Sequence, residues 1–340
     1  MTGLPLLIPD SERPTLKTIA AETGLAIATV SRALKDASDI GEETKRRVKE
    51  AAERLGYRPN RAGVRLRTGK TNVIAVTLST VSDLSNPSQL IYAIADALRG
   101  SAYHLVVIPF FPDQDPMDPI RYIVETESAD GVVLNQTQIN DPRVRYLTER
   151  GFPFVTHGRT DMGINHPYFD FDNEAFGQIA VRALAARGRK HLLLVRPPVE
   201  HSYSMHMTNG FTDEANRLGL PFDVMPDVTS DTPADEVETA VARLLSNSRH
   251  IDGILAGSPS SAVAAVAGAE KCGLVIGRDF DIVSKEAHSF LHRFRKEIIV
   301  VAEKIGLAGS FLTQALISSI ERRPPTLGQF IDRPDPIDFK

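Results

Sequence analysis

From Asn72 onward the chain places short apolar runs between longer amphipathic stretches: "VIAVTL", "YHLVVIPF", "GVVLN", "FPFVTH", "HLLLV", "GILAG", "FDIVS" and "EIIVVAE". Such alternation implies parallel sheets with helices on both faces, an α/β body. Two of the runs echo each other. "SADGVVLN" (128–135) and "HIDGILAG" (250–257) both set Asp-Gly before a short buried strand, so two similarly built, doubly wound subdomains are expected. Open sheets of this kind bind ligands beyond the carboxyl ends of their strands, which puts Asn135 and Gly257 on the lips of a cleft.

The first 70 residues read differently. Thr15 can cap a short helix "LKTIAAET", with Leu16, Ile19 and Ala20 as its apolar stripe, and Gly24 ends it. A second helix, Ala26 to Leu34, follows through the tight "TGLA" joint, a helix-turn-helix spacing. In "ATVSRAL", Val30, Ala33 and Leu34 fall at i, i+3, i+4 and face a core, which leaves Ala28, Thr29, Ser31 and Arg32 outward. A small, hydroxylated and cationic face suits the major groove. Ala28 permits close approach or meets a thymine methyl, and Arg32 can fork onto guanine O6 and N7. A third helix, about Glu42 to Leu55, should turn Val48, Ala51, Ala52 and Leu55 inward and Lys45, Arg46, Arg47 and Lys49 outward. The head is thus an all-α three-helix unit.

Charge separates the two regions. Residues 1–70 carry 14 Lys+Arg against 9 Asp+Glu, a net +5, within a chain whose formal net charge is -4. A basic head on an acidic body points to a polyanion as the head's partner. One cysteine, Cys272, excludes an internal disulfide and any cysteine zinc cluster, and no apolar run approaches a membrane span, so a cytoplasmic, nucleoid-associated protein is expected. The start, "MTGLPLLIPDSERPTL", is too proline-broken and acidic for a signal peptide.

Enzyme chemistry finds little support. "GVRLRTGKT" imitates a phosphate-binding loop, but five residues rather than four separate Gly63 from Gly69 and no apolar strand precedes it. A dinucleotide glycine fingerprint, a "GxSxG" elbow and a "HExxH" pair are all missing. His201 and His206, five apart, do not share a helix face, so neither a metal nor a cofactor is expected. The rival to a regulator is an α/β enzyme acting on a sugar or nucleotide with a basic arm. A helix-turn-helix head argues against it.

"TLKTIAAETGLAIATVSRALKDASDIGEETKRRVKEAAERLGYRPNRAGVRLRTGKTNVIAV" resembles the head of the lactose-repressor (LacI/GalR) family of bacterial transcription regulators. The "ATVSRAL" helix, "GEETKRRVKEAAERLGYRPN" and "RLRTGKT" stand in the family's order and spacing. The resemblance implies a helix-turn-helix domain (1–58), a hinge (59–71) and an effector-binding domain (72–330) of periplasmic-binding-protein type. Its first subdomain would take about 72–170 plus 300–330, its second 171–299, with a tail at 331–340. By position, Ile27, Ala28 and Arg32 resemble base readers, with Thr29, Ser31 and Asn60 near phosphates, Leu16 at the groove wall beside Thr15, and Leu66 as the hinge leucine that wedges into the minor groove. Gly63 departs from the pattern in mid-hinge, where Ala would favour a helix by about 1 kcal/mol.

In the body the resemblance implies a small molecule between the halves, with Ser79, Asn135, His157, Asp172 and Glu286 as pocket residues; Lys285, a departure from the family, joins them as a lysine just after a buried "DIV" strand. His157 could equally pack a loop, Asp172 could cap the following helix, and Lys285 could pair with Glu286 or Glu303. Three departures shape the expected ligand: Met207 stands where an arginine is usual, Gly257-Ser258 where Asn-Asp is usual, and "SKE" (284–286) replaces a Gly-aromatic-Asp segment. Loss of a guanidinium fork favours a neutral, hydroxyl-rich sugar or oligosaccharide over a sugar phosphate or nucleobase. Phe110, Phe111, Tyr168 and Phe169 are the rings expected to cover it. A homodimeric repressor on a near-palindromic operator is expected, since one short helix reads too few base pairs. The ending "RPDPIDFK" carries no apolar heptads, so no tetramerising coiled coil is expected.

Overall fold

A computed structural model describes residues 14–58, 65, 69–79, 87–111, 113–248, 250–287, 290–323 and 328–337. The chain divides into two compact units, Met1–Thr71 and Asn72–Lys340.

The first unit is built from α1 (Leu16–Thr23), α2 (Ile27–Ala33) and α3 (Glu42–Arg54). Thr15 and Thr18 cap α1 reciprocally, side chain to backbone, which satisfies two otherwise orphaned donors. Gly24 ends α1 at φ 68°, in the left-handed region, with its N–H donating to Ala20 O. The helices meet over Ile19, Ala20, Val30, Ala33, Val48, Ala51 and Ala52. Full burial of a Val or Ile side chain stabilises by about 1.5–3 kcal/mol, so Ile19, Val30 and Val48 carry most of this small core. Lys45, expected outward, is instead buried at 8% exposure with its Nζ 2.7 Å from Glu42 Oε1. It lies one turn before Val48 on the inward row, so its aliphatic stem covers core while its ammonium reaches the helix start.

The second unit holds two fully parallel sheets. The first is ordered β11-β5-β4-β3-β1-β2, from β1 (Val73–Ser79), β2 (His104–Phe110), β3 (Gly131–Leu134), β4 (Phe154–His157), β5 (Tyr168–Phe171) and β11 (Gln329–Asp332). The second is ordered β10-β9-β8-β6-β7, from β6 (Leu192–Val195), β7 (Phe222–Val224), β8 (Gly253–Ala256), β9 (Asp281–Glu286) and β10 (Ile299–Ala302). The helices between them are α4 (Pro87–Ala97), α5 (Asp118–Glu125), α6 (Pro142–Glu149), α7 (Asn173–Ala186), α8 (Ser202–Leu218), α9 (Ala234–Asn247), α10 (Pro259–Lys271), α11 (Leu291–Phe294) and α12 (Ile305–Ile320).

Period-two alternation splits every central strand between two cores. Val133 joins Ile74, Val76 and Val155 under α4 and α12, whereas Val132 and Leu134 join Ala75 and Phe154 under α5 and α6. In the second sheet Leu192 and Leu194 pack beneath α7 and α8, while Leu193 and Val195 face α9 and α10. The repeated Asp-Gly has a structural meaning. Asp130 Oδ2 accepts from Asn72 N at 2.8 Å, and Asp252 Oδ1 accepts from Lys190 N and His191 N at 2.8 and 2.9 Å. Each aspartate pins the start of the neighbouring strand, β1 or β6. The glycines that follow are closely packed: a Cβ at Gly131 would stand 2.8 Å from a terminal methyl of Leu316, and one at Gly253 2.6 Å from a terminal methyl of Leu192, so a side chain there requires those leucines to move.

The chain passes between the sheets three times: after β5 into α7, after β10 into α12, and after β11, where Ile337 packs on the α7/α8 side of the second sheet. Subdomain edges therefore shift from those expected. Residues 300–302 belong to the second sheet through β10, Phe171 ends a strand of the first, and β11 runs to Asp332 rather than giving way to a tail at 331. The short strands β5, β7 and β11 were not among the apolar runs read from the sequence.

Candidate functional site: an exposed helix face and a cleft between two sheets

On the head, α2 buries Val30 and Ala33 and leaves Ile27, Ala28 and Arg32 exposed, with Thr29 and Ser31 half-buried beside them. Ile27 is 49% exposed. Arg32 forms an ion pair with Asp39. Thr15 is exposed and Leu16 half-buried at the start of α1. Asn60 and Leu66 lie outside the described residues. The cations of α3 are mostly engaged within the head: Arg47 donates to Thr23 O, Lys49 Nζ reaches Asp36 Oδ1 at 2.7 Å and Arg54 reaches Glu22 Oε1 at 2.7 Å.

In the body, a cavity of about 120 Å³ opens at the carboxyl ends of the strands. Asn135 and Gly257, following the two echoed strands, line it together with His157, at the end of β4, and Lys285 of β9. Three expected pocket residues stand elsewhere. Asp172 Oδ1 accepts from Ala175 N at 3.0 Å and so caps α7. Glu286 Oε2 accepts from Phe290 N and Leu291 N at 3.1 and 2.8 Å, fastening the start of α11. Ser79 ends β1 but does not line the cavity. Met207 is fully buried beneath the second sheet, where its carbonyl crowds Gly177, so its place in α8 faces core rather than ligand. Of the four expected rings, Phe169 is 1% exposed in the core of the first sheet, and none of the four lines the cavity; Phe171 and Tyr203 do.

Among the lining residues that sequence reasoning missed are Asp170, Phe171, Asn173, Tyr203, Ser230 and Asp231. One signal was present: in "YFDF", a charged residue sits inside an aromatic strand. "TSD" (229–231) carries no such mark, because only the return of the chain after β7 brings it to the cleft.

Electrostatics in the cavity are mixed. His157 Nδ1 lies 3.0 Å from Asn135 Oδ1 and burial pushes the imidazole pKa down, so the neutral ring donates through Nδ1 and keeps Nε2 as an acceptor. Lys285 Nζ donates to Asn173 Oδ1 at 2.9 Å, stands 3.8 Å from Glu303 and lies 5.0 Å over the Phe171 ring. Burial raises the carboxyl pKa of Asp231 against the pull of the Ser230 hydroxyl, and raises that of Asp170 to about 7 against the pull of Arg159. Tyr203 is held well above the usual phenol range by burial and keeps its proton. The cavity therefore offers amide, imidazole, carboxyl and phenol groups around two ring faces, a set able to satisfy hydroxyls removed from water.

His201 precedes α8, and His206 Nε2 lies 3.4 Å from Arg159 Nε. At the opposite ends of the second sheet's strands, His191, Asp223 and His250 bring one ligand atom each to within 4.8 Å of one another. His191 Nε2 is already 2.9 Å from Asp223 Oδ2 there, and the His250 ring packs edge-on to His191. No described helix is long and apolar enough to cross a membrane.

Comparison with known proteins agrees with both halves. The model described as "Bacterial regulatory proteins, lacI family" matches residues 15–60, and that described as "Periplasmic binding proteins and sugar binding domain of LacI family" matches residues 77–315. The HTH-type transcriptional regulator RafR of Escherichia coli is 34% identical over 207 residues, 60% of this chain, and the chain spans 62% of that relative's length. The HTH-type transcriptional regulator AglR of Rhizobium meliloti (strain 1021) is 29% identical over 275 residues, 80% of this chain and 77% of that one. Among solved structures, the lac repressor dimer bound to operator superposes with TM-score 0.84 at 18% identity, covering 96% of this chain and 98% of that one. The CelR–cellobiose complex gives 0.68 at 21%, covering 96% and 99%. Both share the fold. With a helix-turn-helix head at 15–60 and a two-sheet binding body matched over 77–315, the chain belongs to the lacI family of bacterial regulatory proteins: it is a DNA-binding transcriptional regulator with a sugar-binding-type domain, not an enzyme.

Proposed function

We propose that the protein is a homodimeric cytoplasmic repressor that binds a near-palindromic operator through the exposed face of α2 and is controlled by a neutral di- or oligosaccharide in the cleft. The base-reading set is Ile27, Ala28 and Arg32, with Thr15, Leu16, Thr29, Ser31 and Asn60 on the backbone and Leu66 at the hinge; the ligand set starts from Asn135, His157 and Lys285.

The observation that carries the ligand class is that, among the described residues, one cationic side chain lines the cavity wall. Lys285 is that cation, and it is already engaged by Asn173 Oδ1, Glu303 and the face of Phe171. A phosphate ester needs at least one uncommitted cation or a guanidinium fork; a neutral sugar needs donors, acceptors and ring faces. Named relatives support the reading: one solved neighbour is a complex with cellobiose, and another is a repressor dimer on its operator.

The test is a gel shift on candidate operator fragments, repeated with neutral saccharides, sugar phosphates and nucleobases. A saccharide alone should change operator affinity, and linkage requires operator DNA to change saccharide affinity by the same factor. A response confined to sugar phosphates or nucleobases would overturn the ligand class.

A further inference from the structure

We infer that Asp170 is the specificity-determining carboxylate of the cavity, accepting a hydrogen bond from a ligand hydroxyl, so that ligand uptake releases a proton. The inference rests on the reading of the cleft as a saccharide site and adds which atom selects the ligand.

Asp170 sits in β5 between two core phenylalanines and is 3% exposed, yet it lines the cavity. A carboxylate this deeply placed normally has every lone pair engaged. Here Oδ2 is buried without a hydrogen bond; Arg159 Nε lies 3.2 Å away but out of line. Arg159 is shared, since the same nitrogen faces His206 Nε2 at 3.4 Å. Lys285, the other nearby cation, is taken up by Asn173. A carboxyl that lines a polar cavity and is under-satisfied by the protein leaves hydrogen bonding to the occupant.

The surrounding charges set the direction of proton flow. Burial raises Asp170 to about 7, Arg159 and then Lys285 pull it down, and Asp172 and Glu303 push it up. His157 on β4 is pushed below the ordinary imidazole range by burial, and His206 on α8 lies at about 4 and so stays neutral between pH 6 and 8. Asp231, in the turn after β7, and Asp332 on β11 are both raised by burial and are the rival proton sources. In the empty protein, then, Asp170 is half-protonated near pH 7. A ligand hydroxyl donating to it favours the anion, and the proton leaves. Affinity should rise with pH up to about 7 and level above it, by about tenfold between pH 6 and 8.

Isothermal titration of the full chain with cellobiose, maltose, melibiose and raffinose tests this at pH 6, 7 and 8, in two buffers of different ionisation enthalpy. Wild type should release close to one proton per ligand at pH 6. Asp170→Asn should bind at least tenfold more weakly at pH 8 and lose the pH slope, Asp170→Glu should keep a slope, and Asp231→Asn should keep the wild-type slope. Thermal melts of each variant establish folding. Saccharide binding with wild-type affinity and slope in Asp170→Asn, a slope that disappears in Asp231→Asn instead, or affinity that falls as pH rises overturns this inference and leaves the saccharide reading standing. No binding by any saccharide to folded wild type overturns both.

Discussion

Lys285 Nζ, on the last-but-one strand of the second sheet, donates to Asn173 Oδ1 at 2.9 Å, tying β9 to the first residue of α7 on the cavity wall. The same ammonium lies over Phe171 and Tyr203, so one side chain fixes both ring faces that a sugar would meet. Lys285→Ala should abolish the effector response while leaving operator binding without effector intact, as read by gel shift with and without saccharide. A normal response in this variant would remove Lys285 from the site.

Arg32, proposed above as a base reader, is held in an ion pair with Asp39. Arg32→Ala should cost about 1–3 kcal/mol on the specific operator and relax choice at one base pair. Equal losses on operator and random DNA would make it a phosphate contact.

Lys45 bears on the head's stability rather than on DNA charge, because it is buried against the core and paired with Glu42. Lys45→Ala should lower head stability by about 1–3 kcal/mol, and Lys45→Met, which keeps most of the stem, by less. Chemical denaturation separates the two. Uniformly weaker DNA binding with unchanged stability would restore the outward placement.

Helices α7 and α8 touch through glycine: a Cβ at Gly210 would collide with the carbonyl of Glu174. Backbone cannot yield as a flexible side chain does, so Gly210→Ala should destabilise the body by about 1–3 kcal/mol, visible as a lower melting temperature. An unchanged melt would mean that the helices separate freely.

Glu214 is held at about 2 by Arg217 and then Arg182. A depressed carboxylate stabilises the fold above its unfolded pKa and loses that contribution as pH falls toward its folded one, so the loss falls between about pH 4.5 and 2. Glu214→Gln should flatten the stability profile in that window, with the gain trimmed by the exposure of both arginines. An identical acid profile in wild type and variant would show the pair to be energetically silent.

How much of this was legible depended on whether a signal was local. The capped α1, the left-handed Gly24 and the buried Val30/Ala33 row are properties of neighbouring residues, and pattern reading found them. The Asp-Gly repeat revealed the two-sheet plan because the same dipeptide precedes β3 and β8, although each aspartate acts at a distance, on the start of the neighbouring strand. Met207 and Glu286 were misplaced for the opposite reason. Which face of α8 meets core, and whether Glu286 turns toward the cleft or toward the amides of Phe290 and Leu291, are settled by packing between distant elements. Asp170 escaped notice since a four-residue strand with one acid among three aromatics reads as neither core nor loop.

The late position of β11 and α12 has a consequence for synthesis. The second sheet is complete once β10 has been made, but β5 pairs with β11 across some 160 residues, and Leu312 and Leu316 of α12 close the core around Val133. As the chain leaves the ribosome, the sheet begun first is finished last. Until residue 332 emerges, the backbone edge of β5 and the apolar face of β3 stay uncovered, the kind of surface that chaperones hold and aggregates recruit.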